Sequence, residues 1–308
     1  MKNVLLVILG IAVTFATPAI ASEGMVTLKW IDEEGQPLSG IQVQAGFEGD
    51  ATQQMKTDTN GLCVLNGKTY CAEVAYCAKP DGFYYSQGRY KFRGGIKDGK
   101  NQPWNPVVTT AVRKIISPIP MSAKKVRAVI PVLDEFVGYD LMEADWIAPY
   151  GKGKIGDIIF RMKKRYVSIQ DFDSSLDLAL TNAVDGVQET SLNEFQVSDF
   201  RLLRFAPSDG YAITNLNVSE SSTNYFHPDE NQAFYFRVRT VTNESGRITS
   251  ALYGKIRSYI GFDVRRDKTG VVNFTYYLNP TPNDRNLEFD PKRNLSTNLK
   301  PGEQVTAP

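Results

Sequence analysis

Histidine is almost absent from this 308-residue chain, which contains only His227. A metal site built from several histidines is therefore excluded. A Ser-His-Asp or Cys-His catalytic arrangement would have to use this one residue. His227 lies in residues 224–228, whose composition is typical of a turn that leads into a strand. The sequence therefore predicts a turn histidine.

The chain also lacks an excess of charge of either sign. It carries 35 Lys and Arg against 34 Asp and Glu, and loss of residues 1–21 would remove only Lys2, leaving 34 of each sign. Without a net charge, no long-range field steers the whole molecule toward nucleic acid or anionic lipid. We therefore expect no nucleic-acid partner, and any electrostatic preference must come from a local patch.

Cysteine is scarce, and the three cysteines fall within 15 residues, at Cys63, Cys71 and Cys77. An odd number leaves at least one thiol unpaired within the chain. If residues 70–77 form one strand, Cys71 and Cys77 lie about 20 Å apart, too far for a disulfide. Cys63 could lie opposite Cys71 across a turn at residues 66–68. Cys63–Cys71 is therefore the best candidate pair, and three buried free thiols are the alternative.

Long apolar runs are missing except at the N-terminus. After Lys2, residues 4–16 are almost entirely apolar, Pro18 ends the run, and Ala19 and Ala21 form a small-residue cleavage pattern before Ser22. This layout is typical of a secretory signal peptide in residues 1–21, and the run is short for a membrane helix. We expect export to the periplasm, the cell surface or the extracellular space, with no membrane span after cleavage.

Alternating apolar and polar residues predict strands along most of the chain. Leu176, Leu178 and Leu180 alternate with polar or small residues, and Phe234 and Phe236 do the same. The pattern predicts an all-β fold of two antiparallel β-sandwiches. We expect a first domain in residues 22–116 and a second, larger one in 117–279. Residues 280–308 should form an extended tail, disordered at its end unless it packs across the sheet edge.

The first domain resembles a known family. A strand is followed by the segments DEEGQPLSGIQV, TDTNG and KPDGFYY, and this order is similar to that of carboxypeptidase regulatory-like, transthyretin-like β-sandwiches and of B-type repeats in surface adhesins. The resemblance covers about residues 25–115. It implies a β-sandwich that acts as a spacer, stalk or packing partner, and it implies no enzymatic activity.

Basic and aromatic residues are concentrated in residues 86–106, which we predict to be a long insertion. Five Lys or Arg and three aromatic residues occur there with a single acid, Asp98. Long insertions are often functional, and this composition suits polyanions or sugar rings. We therefore predict ligand contacts from Tyr90, Phe92, Arg93 and Trp104. The alternative is that the aromatic residues pack against the neighbouring domain.

Carboxylates are the only side chains in the sequence that are credible candidates for catalysis. Asp140, Glu143 and Asp145 cluster beside Trp146, a composition found at sugar-hydrolysing sites that use paired carboxyls. Asp171, Asp173 and Asp177 could ligate Ca²⁺ through oxygen, although their spacing does not match a calcium-binding loop. A solvated turn with exposed acids explains the second cluster equally well. No cofactor is expected.

These observations favour a secreted, non-catalytic protein with a structural or binding role at the cell surface or beyond it. Its partner would be a glycan or another surface protein. A carbohydrate-binding module or a glycan-active hydrolase is the alternative.

Overall fold

The structure, a computed structural model, describes residues 21–192, 197–212, 216–265 and 268–308. The signal peptide predicted in residues 1–21 lies outside this range except for Ala21. The regular secondary structure of the described residues consists of β-strands and two short 3₁₀-helices, and the strands make up about half of the chain. The all-β sandwich prediction is confirmed. No helix within the described ranges has the length and apolar character needed to cross a bilayer.

The described chain divides into two compact units. Unit 1 contains the described residues up to Lys79 together with Gln87–Thr110, and unit 2 contains Pro80–Ser86 and Ala111–Pro308. The division differs from the predicted one at residue 116, because side chains near both boundaries are buried within unit 2. Tyr84 contacts Phe200 at a ring distance of 5.2 Å, and buried Arg113 donates to the Phe200 carbonyl.

Unit 1 contains nine strands. The sixth begins one residue before Gln87–Thr110, and the ninth ends one residue after it. The nine strands are β1 (Ser22–Ile31), β2 (Gln42–Phe47), β3 (Gln53–Lys56), β4 (Leu62–Thr69), β5 (Glu73–Ala78), β6 (Ser86–Lys91), β7 (Ile96–Lys97), β8 (Lys100–Asn101) and β9 (Val107–Ala111). One sheet has the order β4-β1-β8-β7, with β9 also paired to β1, and the other has the order β3-β2-β5-β6. Alternate buried residues such as Leu28, Trp30, Val43 and Val74 fill the space between the sheets.

The predicted turn at residues 66–68 is wrong. Strand β4 continues through these residues to Thr69 and pairs with β1 along its length, so that Gly24 lies opposite Gly67. The ring of Phe47 covers this glycine pair, and a Cβ added to either glycine would lie within 2.6 Å of a Phe47 ring carbon. The Asn-Gly sequence therefore makes room for an aromatic ring and does not reverse the chain.

The segment predicted as an insertion is mostly strand. It contains β6, β7 and β8, and the last two form a hairpin through Asp98 and Gly99, both of which have positive φ. This Asp-Gly pair suits a two-residue hairpin turn. Strand β8 extends the first sheet by pairing in parallel with β1, where Glu23 lies opposite Lys100.

Unit 2 contains the remaining eleven strands of the described chain. They are β10 (Ser122–Val129), β11 (Val137–Asp140), β12 (Asp145–Trp146), β13 (Ile158–Ser168), β14 (Asp171–Leu180), β15 (Gly186–Ser191), β16 (Leu216–Ser221), β17 (Gln232–Thr242), β18 (Ile248–Arg257), β19 (Gly261–Asp263) and β20 (Val271–Asn279). The sheet β10-β20-β18-β17-β15, with β19 beside β20, faces the sheet β12-β11-β13-β14-β16. Phe160 and Phe274 meet between the sheets at 5.6 Å.

The C-terminal segment covers the outer face of the first of these two sheets. Leu287, Phe289 and Val305 are buried in a second apolar cluster with Tyr235 and Tyr277. The segment includes the 3₁₀-helices Pro291–Arg293 and Pro301–Glu303. The tail predicted in residues 280–308 is therefore extended and packed, because its apolar side chains bury the aromatic residues on that face of the sheet.

Candidate functional site

A groove of about 520 Å³ lies on unit 1 and is lined by Glu73, Arg89, Tyr90, Lys91, Arg93 and Pro103. We call it the basic groove, because three of the six residues are cationic and one is acidic. Its volume lies within the range of small-ligand sites. Two of the four predicted contact residues, Tyr90 and Arg93, line it.

Strand β6 supplies one wall of the groove. It is the edge strand of the sheet β3-β2-β5-β6, and Arg89 and Lys91 are exposed on it while Tyr90 between them is half-buried. Arg93 follows two residues after Lys91 and is also exposed. Because side chains alternate along the strand, the two cations and the Tyr90 ring project from opposite faces of it. All three still line the groove.

Phe92, which the sequence predicted as a ligand contact, is buried and does not line the groove. Its side chain is only 5% exposed, and its ring stacks on Phe47 with a centroid distance of 6.2 Å. Tyr90 packs edge-on against Phe92 at 5.1 Å. Because Phe47 rests on the Gly24–Gly67 pair, a continuous series of contacts runs from the sheet to Tyr90. Phe92 is thus a support for the groove.

The opposite wall comes from the segment after the β7–β8 hairpin. The amide of Gly94 donates to the Gln102 carbonyl and the amide of Gln102 donates to the Gly95 carbonyl, each at 2.9 Å. These bonds hold Pro103 beside Arg93. Trp104, the fourth predicted residue, does not line the groove; it is 38% exposed, and the Lys100 ammonium lies 4.8 Å from its ring centroid.

The charges of the groove are unevenly paired. Arg89 donates to a Glu73 carboxylate oxygen at 2.8 Å, and this hydrogen bond raises the pKa of the guanidinium. Within the described chain, the side chains of Lys91 and Arg93 have no hydrogen-bonding or ion-pair partner. The groove therefore presents two available cations next to one fixed aromatic ring.

Four residues that line the groove were not predicted from the sequence. Arg89 and Lys91 lie within the basic segment, and their positions at alternate residues with Arg93 were a usable signal. Pro103 could have been found as the neighbour of Trp104. Glu73 carries no local signal, because it reaches the groove only through the pairing of β5 with β6.

The proposed catalytic acids are engaged in holding a loop. Asp140 is 1% exposed and accepts hydrogen bonds from the amides of Met142, Glu143, Lys154 and Ile155. Burial acts to raise its pKa, but these amide bonds outweigh burial and leave the pKa below its ordinary value. A carboxyl group whose pKa is lowered and whose oxygens already accept four amides is poorly suited to act as a general acid near neutral pH.

The other two acids of that cluster have local partners. Glu143 forms an exposed ion pair with Lys154 at 2.6 Å. Asp145 accepts from the amides of Trp146 and Lys152, both at 2.9 Å. These contacts order the loop between β12 and β13 and show no pair of carboxyls aimed at a common substrate atom.

Arg239 connects Asp140 to two further buried acids that the sequence did not single out. Its Nε donates to Asp157 Oδ1 and its Nη2 to Asp140 Oδ1, both at 2.8 Å. Its amide donates to Asp185 at 3.1 Å, and its φ of +53° places it at an irregularity in β17. Burial raises the pKa of both Asp157 and Asp185, and in Asp157 the Arg239 hydrogen bond opposes part of that effect.

The three aspartates considered for calcium do not converge. They lie on one side of strand β14, and Asp171 and Asp177 are six residues apart, about 20 Å along an extended strand. Asp171 pairs with Arg165, and Asp177 pairs with Arg161. No group of three His, Cys, Asp or Glu side chains suited to a metal ion occurs in the described ranges.

The predicted Cys63–Cys71 disulfide is absent, and all three cysteines are free thiols. Cys63 lies near the start of β4 and Cys71 lies beyond its end, so the extended strand separates them. Cys63 is buried and Cys71 is exposed. Burial raises the pKa of the Cys63 thiol to about 11, with a smaller effect from Asp58.

Comparison with known proteins gives weak similarities. No family model matches the chain, and no curated protein matches it. A candidate carbohydrate-binding protein from Bacteroides uniformis aligns over 82% of this chain and 95% of its own, with 12% identity and a TM-score of 0.19.

Two pilin subunits are similarly distant. A point mutant of the shaft pilin SpaA of Lactobacillus rhamnosus GG covers 73% of this chain and 89% of its own, with 10% identity and a TM-score of 0.23. BcpA, the major pilin subunit of Bacillus cereus, covers 81% and 95%, with 11% identity and a TM-score of 0.22. Because these TM-scores are far below 0.5, function has to be argued from the side chains of this chain.

Proposed function

We propose that this protein is a non-catalytic binding protein that acts outside the cell, and that the basic groove is its contact surface for a glycan. The observation that carries the proposal is the fixed Tyr90 ring, which stands in a groove beside two cations that have no partner among the described residues. Aromatic rings provide flat apolar surface with a polar hydroxyl, which suits the mixed faces of a sugar ring.

Three further points support this function. The sequence predicts a signal peptide, which makes extracellular and cell-surface glycans available as ligands. Unit 1 is a β-sandwich, as its resemblance to transthyretin-like domains implies, and we propose that it belongs to that class. Of the three acids that could have served a hydrolase, Asp140 and Asp145 hold a loop through backbone amides and Glu143 pairs with Lys154, so we propose binding without turnover.

A glycan microarray tests the proposal directly. The chain from residue 22 to 308 should bind a defined set of glycans, and Tyr90→Ala should weaken that binding about tenfold, because one aromatic contact contributes about 1–1.5 kcal/mol. Tyr150→Ala removes an exposed tyrosine of unit 2 and is the matched control. Circular dichroism checks that both variants are folded.

The proposal fails if no glycan binds. It also fails if the two tyrosine variants lose binding equally, since the contact would then lie away from the groove. A protein partner would remain as the other class of surface ligand that the sequence indicates.

A further inference from the structure

The cations of the basic groove form a row. Arg89 and Lys91 occupy alternate positions on β6, about 6.6 Å apart, and Arg93 follows at the next alternate position beyond the strand. All three are exposed. A single small anion could contact only one or two of them, whereas a chain with repeated anionic groups could contact all three.

The surroundings strengthen the positive charge. Lys97 and Lys100 belong to the neighbouring hairpin, and the single acid of this segment is Asp98 in its turn. Glu73 is the one acid that lines the groove, and it is already paired with Arg89. Glu48 lies next to Glu73 and adds a smaller attraction to the same guanidinium, so Lys91 and Arg93 carry the unpaired charge. The excess of cations is therefore local to the groove in a chain whose total charge is close to zero.

The chemistry of these cations favours carboxylate or sulfate. Arg93 has a planar guanidinium that can bind such a group through two parallel hydrogen bonds, and Lys91 supplies a compact charge. A neutral sugar would partly desolvate both cations and offer them hydroxyl acceptors but no opposite charge. Tyr90 adds apolar contact for the ring that carries the acidic group.

We infer that the ligand of the basic groove is an acidic polysaccharide, a chain with carboxylate or sulfate groups at regular intervals. This inference rests on the proposed function, in which the groove binds a glycan. Single-stranded nucleic acid is a less suitable polyanion, because it needs successive stacking platforms and Tyr90 is the one aromatic residue among the six that line the groove.

The experiment compares four polymers of similar length: polygalacturonate, dextran sulfate, neutral dextran and oligo(dT). Affinities are measured by biolayer interferometry with the chain of residues 22–308, at low salt and at a roughly fourfold higher NaCl concentration. At least one acidic polysaccharide should bind, and its affinity should fall as salt rises. Neutral dextran and oligo(dT) should bind at least tenfold more weakly.

A pair of matched double variants locates the site. Lys91→Ala with Arg93→Ala should weaken binding at least tenfold at low salt and should reduce the slope of log K against log salt by about 1.5. Lys125→Ala with Arg127→Ala removes the same two residue types from alternate exposed positions of β10. This control should bind within twofold of the parent chain.

The outcomes separate this inference from the proposed function. A neutral glycan that binds through Tyr90 without salt dependence would overturn the inference and leave the function intact. Equal loss in both double variants, or equal binding of oligo(dT), would also overturn the inference. A chain that binds no glycan at all would overturn both.

Discussion

At the scale of single residues, Arg239 is the most consequential side chain outside the groove. It bonds Asp140 and Asp157 with its guanidinium and Asp185 with its amide, and these contacts join two sheets of unit 2. Hydrogen bonds with Asp157 raise the pKa of the guanidinium above its ordinary value. Buried acids of this kind depend on a partner, because an uncompensated charge in the interior is costly.

Replacement of Arg239 by Met should destabilise unit 2 by about 3–5 kcal/mol at pH 7, because the buried carboxylates lose their cation. The difference from the parent chain should shrink at acid pH. Burial already holds the pKa of Asp157 above its ordinary value of 3.8, so in the variant Asp157 takes up a proton on folding and gains stability as pH falls.

Urea unfolding at pH 7 and pH 5 measures both effects. Arg127→Met is the control, because Arg127 is exposed on β10 and should change stability by less than about 0.5 kcal/mol. A variant as stable as the parent at pH 7, or a deficit that grows at pH 5, would contradict this account of the cluster.

The sequence could suggest the acids of this cluster but not their role. Asp140 stood out because it lies close to Glu143 and Asp145 in the chain. Asp157 and Arg239 are 82 residues apart and meet only after two sheets have paired. Such long-range partners carry no local pattern, so the acids were interpreted as candidate catalytic groups.

At the scale of elements, the groove depends on the space that two glycines leave on a neighbouring sheet. The Gly24–Gly67 pair leaves space for Phe47, Phe47 supports Phe92, and Phe92 supports Tyr90. A rule that interprets Asn-Gly as a turn fails here, because the tertiary contact with Phe47 decides the role of Gly67. The position of Tyr90 in the groove thus depends on Gly67, near the end of strand β4.

Gly67→Ala should disturb this series of contacts. The added Cβ would lie 2.6 Å from a Phe47 ring carbon, which forces the ring to move and should cost about 1–3 kcal/mol. We expect weaker glycan binding, because Tyr90 loses its fixed support. Thermal unfolding and the microarray measure the two effects on the same preparation.

The control is Gly302→Ala, since a Cβ at Gly302 has no neighbouring atom within 4 Å among the described residues. This variant should keep the stability and the binding of the parent chain. If Gly67→Ala bound glycan as well as the control did, Tyr90 would not depend on the Phe47–Phe92 stack.

Strands with strict alternation were predictable from the sequence. In β14 the leucines at alternate positions are buried, and in β17 Phe234 and Phe236 face the core as the pattern predicts. Packing of the tail across the sheet edge was one of the predicted alternatives, but its burial on the face of the sheet was not predictable, because its apolar residues are separated by Pro, Asn and Lys. The overlooked indication was Tyr235, because a large aromatic residue on the opposite face of a strand requires other apolar side chains to bury it.

At the scale of the whole molecule, both units are sandwiches that hold together without a disulfide. Each has apolar side chains between two sheets, and the described cysteines are free. Among them, only Cys71 is exposed. Stability therefore comes from buried apolar surface and from buried polar networks.

A reducing agent should leave the melting temperature of the protein unchanged. Thiol titration of the native protein should label Cys71 rapidly and Cys63 slowly, because burial keeps Cys63 inaccessible and raises its pKa to about 11. Unfolding in urea should make all three thiols reactive. A fall of several degrees on reduction would instead reveal a disulfide in the native protein.

Strand β6 is the edge strand of its sheet, and beyond the antiparallel bridge between Ser86 and Ser198 it has no further strand partner on that side in the described chain. Its exposed side chains include Arg89 and Lys91. An edge with unsatisfied backbone groups can recruit a strand from another molecule, and repeated positive charge opposes that recruitment. Arg89 and Lys91, which we propose to contact a polyanion, thus also oppose aggregation through the edge of the sheet. Variants that replace these residues by alanine lose this protection. Each measured affinity should therefore be accompanied by a check that the variant is monodisperse.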